Sequence, residues 1–168
     1  TKSAASEGTA ILAADLSDKL EAQLEATLLD CARQFIHRVS VVPEARIAVN
    51  FATAMHDVTE GGVLGAVFEL AHASGCGVEL WADKVPIAKE TAAICRILNL
   101  DPLGLIGSGS LLIATADPDQ LITALATASI PAAAIGRLLP PEEGQWLQQG
   151  HRRQPLSVPE RDELYKVL

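Results

Sequence analysis

The residues best able to do chemistry crowd into Met55-His-Asp-Val-Thr-Glu-Gly-Gly-Val-Leu-Gly65. His56 can serve as an acid, a base or a hydrogen-bond donor to phosphate. Asp57 can accept from a substrate hydroxyl, order the following turn through backbone N–H groups, or help to hold a metal. Gly61 and Gly62 then lead into an apolar-periodic segment in which Val63, Val67, Leu70 and Ala71 recur at helical spacing, with Leu64 and Phe68 widening the stripe. A helix beginning near Glu60 presents free N–H groups and the positive end of its dipole where there is no side-chain bulk, an arrangement that suits a phosphate. The amides from Thr59 to Val63 are expected to line a small open hollow. The same residues also have a structural reading, with Asp57 as N-cap, Glu60 reaching back and the glycines relieving a tight turn. The pattern is neither G-x-G-x-x-G nor a P-loop, because no Gly-Lys-Ser/Thr follows.

Three further groupings are weaker. Glu69-Leu-Ala-His72 has the E-x-x-H spacing that places both side chains on one helical face, but carboxylate metal bundles need two such motifs and only one is present. An exposed surface pair is expected there, with a metal set of His56, Asp57, Glu69 and His72 as the rival. Ile106-Gly-Ser-Gly-Ser110 precedes a strand rather than a helix and reads as a turn needing positive φ. His151-Arg-Arg153 reads as a solvated basic turn.

The elements that must position these residues follow from periodicity. Thr1–Gly8 is polar and small, and reads as a flexible lead-in to a domain over residues 9–168. Ile11, Leu12, Leu16, Leu20, Leu24, Leu28 and Leu29 predict one or two amphipathic helices to about Phe35, with a break near Ser17. Pro43 opens a helix, and an extended piece around Thr53–Met55 delivers the chain to the glycine turn. Beyond the motif helix, Ser74-Gly-Cys-Gly77 is a stop signal. Strands are predicted at Val78–Trp81, Leu111–Thr115 and Ala132–Leu138, with an edge strand at Gln145–Gln149. Helices are predicted at Ala88–Leu98, from Asp117-Pro-Asp119 to near Ser129, and from Pro159 to Val167. The alternation argues for α/β or α+β layering.

At 168 residues with 49% hydrophobic content, the chain is one domain whose core must be Ala, Leu, Ile and Val, since aromatics make up only 4%. A net charge of −8 without a basic stripe disfavours nucleic acid and anionic membranes as partners. Cys31, Cys76 and Cys95 form no C-x-x-C pair, and their odd number argues for thiols in a reducing compartment. No apolar run approaches the ~20 residues of a membrane span and no signal peptide is visible, so a cytoplasmic location is expected. The start at Thr1 rather than Met reads as a fragment or a processed chain.

The glycine motif resembles that of the aminoimidazole ribonucleotide (AIR) synthase superfamily. Asn99-Leu-Asp-Pro-Leu103, Ser108-Gly-Ser-Leu-Leu-Ile-Ala114 and Ile130-Pro-Ala-Ala-Ala-Ile-Gly136 follow in the order of that superfamily's C-terminal half, nearest to the HypE-like branch. The resemblance implies an α+β fold of α/β/α layers, with helices packed on a mixed sheet. It also implies a role for Asp57, Thr59, Gly61 and Gly62 beside a nucleotide, with His56 and Asp57 as catalytic candidates. Ser108 and Gly109 join the binding set through a similar Ser-Gly step in selenophosphate synthetase. Members use ATP and Mg²⁺ to activate a substrate oxygen. ATP and metal are gripped largely by an N-terminal half, which also carries the dimerising sheet, so a homodimer, an N-terminal AIR synthase-like domain and a nucleotide or phosphorylated small molecule are the partners implied. That half is absent here, so the parent is expected to be the enzyme and the isolated chain to turn over little. A non-catalytic ligand-binding or assembly domain is the alternative. Two departures stand out: Glu60 replaces the arginine usual in HypE, and no cysteine lies in Glu163-Leu-Tyr-Lys-Val-Leu168.

Overall fold

The computed structural model describes residues 1–168. In chain order its elements are α1 (Ser6–Asp15), α2 (Ser17–Glu21), α3 (Ala26–Arg33), α4 (Val42–Ala48), β1 (Ala52–Asp57), α5 (Gly62–Ala73), β2 (Gly77–Trp81), α6 (Lys89–Leu98), β3 (Leu111–Thr115), α7 (Pro118–Thr127), β4 (Gly136–Leu139), β5 (Gln145–Gln149) and β6 (Arg152–Pro155). Leu16 separates α1 from α2, where the break near Ser17 is expected, and Asp117 caps α7 by accepting from the Gln120 N–H.

The central helix is α5. Every residue from Gly62 to Val67 is buried, so this helix is apolar nearly all round at its start and must be enclosed. On one side Val63, Leu64 and Val67 pack with Val78 and Leu80 of β2 and with Leu103. A second core lies among the helices, where Leu12, Leu20 and Leu29 meet Ile94, Leu98 and Leu105.

The strands form a mixed arrangement, but in two pieces. β1 pairs antiparallel with β3, and a separate sheet has the order β4-β2-β5-β6, with β2–β5 parallel and the other pairs antiparallel. Three expectations are corrected here. β5 is interior rather than an edge, because β2 and β6 take both of its sides despite its three glutamines. The strand expected from Ala132 begins only at Gly136. The final helix reduces to a 3₁₀ turn, Glu163–Lys166, in which Glu163 and Leu164 are buried.

Nor is the lead-in loose. Ala4 and Ala5 are buried, and the Lys2 ammonium donates to the carbonyls of Arg38 and Ser40 while pairing with Glu44 at 2.7 Å. Glu44 is 2% exposed, so Lys2 is its compensating charge. Lys2→Ala is expected to lower unfolding free energy by about 2–3 kcal/mol in urea titration, because it strands a buried carboxylate. A loss no larger than that of an exposed-lysine control would refute this pairing.

A second buried carboxylate anchors the far face of the β4-β2-β5-β6 sheet. Glu79 on β2 accepts from Arg137 on β4 (2.9 Å) and from Arg153 on β6 (2.9 Å), and Arg153 also stacks over the Trp146 ring at 4.1 Å. Burial alone would raise the Glu79 carboxyl, but hydrogen bonds from Trp81 and Arg153, with the Arg137 charge and hydrogen bond, hold it below its ordinary value of 4.5. A carboxyl depressed in the folded state adds stability above its unfolded pKa, and that contribution fades as pH falls through the folded one. Wild type should therefore lose more stability between neutral pH and the acid carboxylate range than Glu79→Gln does; parallel denaturation profiles would contradict this.

Candidate functional site

The antiparallel β1–β3 register sets Asp57 opposite Leu111 and so brings the two polar loops together. The Val58 N–H donates to the Ser110 carbonyl at 3.0 Å. One carbonyl, that of Thr59, accepts from both Gly107 (3.3 Å) and Gly62 (3.1 Å). Thus the segments 57–62 and 106–110 form a single rim. Asp57, Thr59 and Glu60 are exposed on it and Ser108 is half-buried. Gly109 adopts φ +109°, and a Cβ there would lie 2.9 Å from the Arg38 carbonyl oxygen, so the loop closes against the 3₁₀ segment 34–38.

The glycine pair is built for close backbone approach. Gly61 and Gly62 take φ +80° and +61°. A Cβ on Gly62 would sit 2.5 Å from the Leu103 oxygen and 2.8 Å from that of Leu105. The Leu64 N–H donates to the same Leu103 carbonyl at 3.1 Å. Asn99-Leu-Asp-Pro-Leu103 is therefore the brace against which α5 starts: Asn99 ends α6 in the left-handed region, and the Asp101 carboxylate accepts from the Leu103 N–H.

Part of the hollow expected over these amides is taken up by the chain itself. The Gly61 N–H donates to Asp162 Oδ2 at 2.7 Å, from 101 residues away, while Asp162 Oδ1 accepts from Leu164. Asp162 is 2% exposed, with the N-terminus of α5 as its positive surroundings. Capping by Asp57 is likewise not what occurs, since the α5 N-cap is Gly61 and its partner is Asp162. Of the amides from Thr59 to Val63, those of Thr59, Glu60 and Val63 lack an acceptor within the chain. Asp162 was missed in the sequence because it lies beside Glu163 in a short polar tail. Nothing local there signals a partner so far away.

Residues 3–146 match the family described as AIR synthase related protein, C-terminal domain. The chain belongs to that family. Among curated relatives, the carbamoyl dehydratase HypE of Rhodobacter capsulatus is 28% identical over 142 residues, 82% of this chain and 40% of its own length. Among solved structures, that of Escherichia coli HypE superposes with a TM-score of 0.77 at 26% identity, covering 96% of this chain and 49% of HypE. A HypE structure in complex with ATP gives a TM-score of 0.60 at 25% identity, over 74% of this chain and 41% of that one. The chain thus spans about half or less of the length of the proteins it matches, and the layered α+β fold is that of the AIR synthase C-terminal domain.

In this AIR synthase-related domain, His56 faces α5 rather than the open rim. Its Nε2 lies 3.0 Å from Glu69 Oε2 and its Nδ1 contacts the Asp57 carbonyl. Glu69 therefore pairs across to β1 and not along its own helix with His72, which stacks on Phe68 at 5.8 Å. The exposed Glu69–His72 pair expected from spacing does not form, because strand β1 offers Glu69 a nearer partner. No three His, Cys, Asp or Glu side chains converge as a metal site requires. No helix is long and apolar enough to cross a membrane. Replacing Asp162 with alanine leaves the buried Gly61 N–H without a partner, and a fall of about 2 kcal/mol in unfolding free energy is expected. Asp162→Asn, which keeps one acceptor, should recover part of it. Equal melting temperatures for Asp162→Ala and wild type would show that this bond contributes nothing.

Proposed function

We propose that this chain is the C-terminal half of a HypE-like, ATP-dependent enzyme and that the rim joining Asp57 and Thr59 to Ser108 and Gly109 contacts a phosphate of ATP or of a phosphorylated substrate. The observation that carries the reading is the β1–β3 register with its shared Thr59 carbonyl, which holds two separately encoded polar loops on one edge. The HypE complex with ATP supports a nucleotide as the ligand class. Phosphoryl transfer places negative charge on equatorial oxygens, and backbone N–H groups and hydroxyls answer that need without chemistry of their own.

Within this reading the roles divide by position. Thr59 and Ser108 offer hydroxyl donors at the rim, and the unpaired Glu60 and Val63 amides flank the glycines. Asp57, exposed over most of its side chain, is placed to order a substrate hydroxyl or to give one ligand to Mg²⁺. The metal would neutralise charge on the phosphates, but with no cluster of three donor side chains these residues fit only an edge of its site. His56, paired with Glu69, acts here by holding Asp57's strand against α5. An N-terminal AIR synthase-like domain supplies the remaining ATP and metal contacts, and the homodimer forms through that domain. Cys95 takes no part in this chemistry: burial, aided by the charges of Asp101 and Glu163, pushes its thiol up to about 12.

The Asp162–Gly61 bond favours a second reading, an assembly domain in which a carboxylate of the chain permanently fills the anion position. Calorimetry with ATP·Mg and with inorganic phosphate separates the two. Rim binding predicts weak but measurable association that Thr59→Val and Ser108→Ala each reduce about fivefold, with little or no turnover by the isolated chain. Asp162→Ala should strengthen phosphate binding by freeing one donor. Absence of binding in wild type and Asp162→Ala alike would leave the assembly reading.

A further inference from the structure

The division between the two sheets is a groove with unpaired strand edges. A cavity of about 640 Å³, open to the outside, is lined by β3, by residues 132–138 leading into and along β4, and beneath them by Val63 and Val67 of α5 and Leu121 and Leu125 of α7. Backbone parity shows what the edges offer. The Val58 N–H bonds to Ser110, so residues 110, 112 and 114 turn their backbone groups toward β1 and Ile113 turns its own away. The Trp81 N–H bonds to Ile135, so Gly136 and Leu138 likewise face outward from β4. Unpaired edges beside an apolar floor are the template that an added strand recognises.

The chain already begins to fill it. The Thr1 nitrogen donates to the Leu111 carbonyl at 2.8 Å, and the Leu111 N–H donates back to Thr1 Oγ1 at 3.1 Å. The Ser3 carbonyl accepts from Ser110 Oγ, while the Lys2 N–H donates across to Pro131, ahead of β4. Residues 3 to 1 thus pass Ser110 and then Leu111, antiparallel to β3, and continuing upstream in this direction leads past Ile113 toward Thr115. We propose that an extended segment leading into Thr1 lies in this groove, antiparallel to β3, and joins the two sheets into one.

Three observations favour this occupant over a second copy or a foreign peptide. Leu111 is the next outward-facing residue and is already paired with Thr1, so the register is set. A charged terminus is poorly housed at this point: burial, opposed by Glu44 and aided by Lys2, pushes the Thr1 ammonium down from 8.0 to about 6, whereas a peptide N–H makes the same bond without charge. The HypE relatives extend well beyond the matched region, so chain is at hand in them to supply the segment. About four or five residues span the rest of β3 at ~3.3 Å each, and alternate ones would meet Val63, Val67, Leu121 and Leu125. The segment should therefore alternate apolar and polar residues.

The test compares the 168-residue chain with the same chain carrying a strand-forming Thr-Val-Thr-Val-Thr-Val extension, about the usual strand length, before Thr1. A control extension, Thr-Pro-Thr-Pro-Thr-Val, removes two of its donors. Hydrogen exchange at Ile113, Gly136 and Leu138 should slow by about tenfold or more with the first extension and stay unchanged with the control, both proteins remaining monomeric by light scattering. Unchanged exchange with the first extension overturns the proposal. Equal slowing by both extensions does so too. Slowing that rises with protein concentration and accompanies dimers in the unextended chain assigns the groove to a second copy and also overturns it.

Discussion

The carboxylate of Asp162 against the Gly61 amide joins the last turn of the chain to the first turn of its central helix. A helix start that is buried and apolar has donors that water cannot reach, and they must be answered from within. Here Asp162 answers Gly61, Leu103 answers Leu64, and Thr59 answers Gly62. Because both glycines lie in the left-handed region and Gly62 touches the 103–105 backbone, the turn tolerates no Cβ and no slack. Glu163 extends the same clamp by accepting from the Asp101 N–H while pairing with Lys166. The tail, the brace at 101–105 and the glycine turn form one unit, and the polar rim rests on it.

Several carboxylates of this acidic protein are housed indoors. Glu44, Glu79, Asp162 and Glu163 are all nearly inaccessible, and each meets a cation or backbone donors: Lys2, the pair Arg137 and Arg153, the α5 start, and the Asp101 amide with Lys166. Each of these contacts joins segments distant in sequence or pins the tail in place. Such groups are expensive to bury and so penalise any packing that separates them from their partners. The exposed acids of the rim, Asp57 and Glu60, remain available for a ligand or a neighbouring domain.

Much of the layout was legible. The helix break at Leu16, the strand Leu111–Thr115 and the Asp117 cap follow from periodicity and capping chemistry spanning a few residues. Family motifs located the glycine turn and the loop at Ser108, and the fold brings the two together. What was not legible shares one feature. The tail, read as a helix from Pro159, is a short 3₁₀ turn because its buried side chains are held by Gly61 and Asp101 rather than by its own turns. β5 looks like an edge because of its glutamines, and Thr1–Gly8 looks loose because it is small and polar. Yet each is fixed by partners far along the chain.

The amino-acid order by itself determined where most of the helices and strands lie and which of their faces are apolar. Those properties arise from interactions within a turn or two of chain. Only the tertiary structure decided that a carboxylate 101 residues away fills the amide the glycines left free. It alone decided that Glu69 turns to His56 and that the strands stand as two sheets with an open groove between them. The reason is physical: a two-residue period specifies the face a strand buries, not the neighbour it pairs with, and an unsatisfied donor attracts whichever acceptor the packing brings within reach.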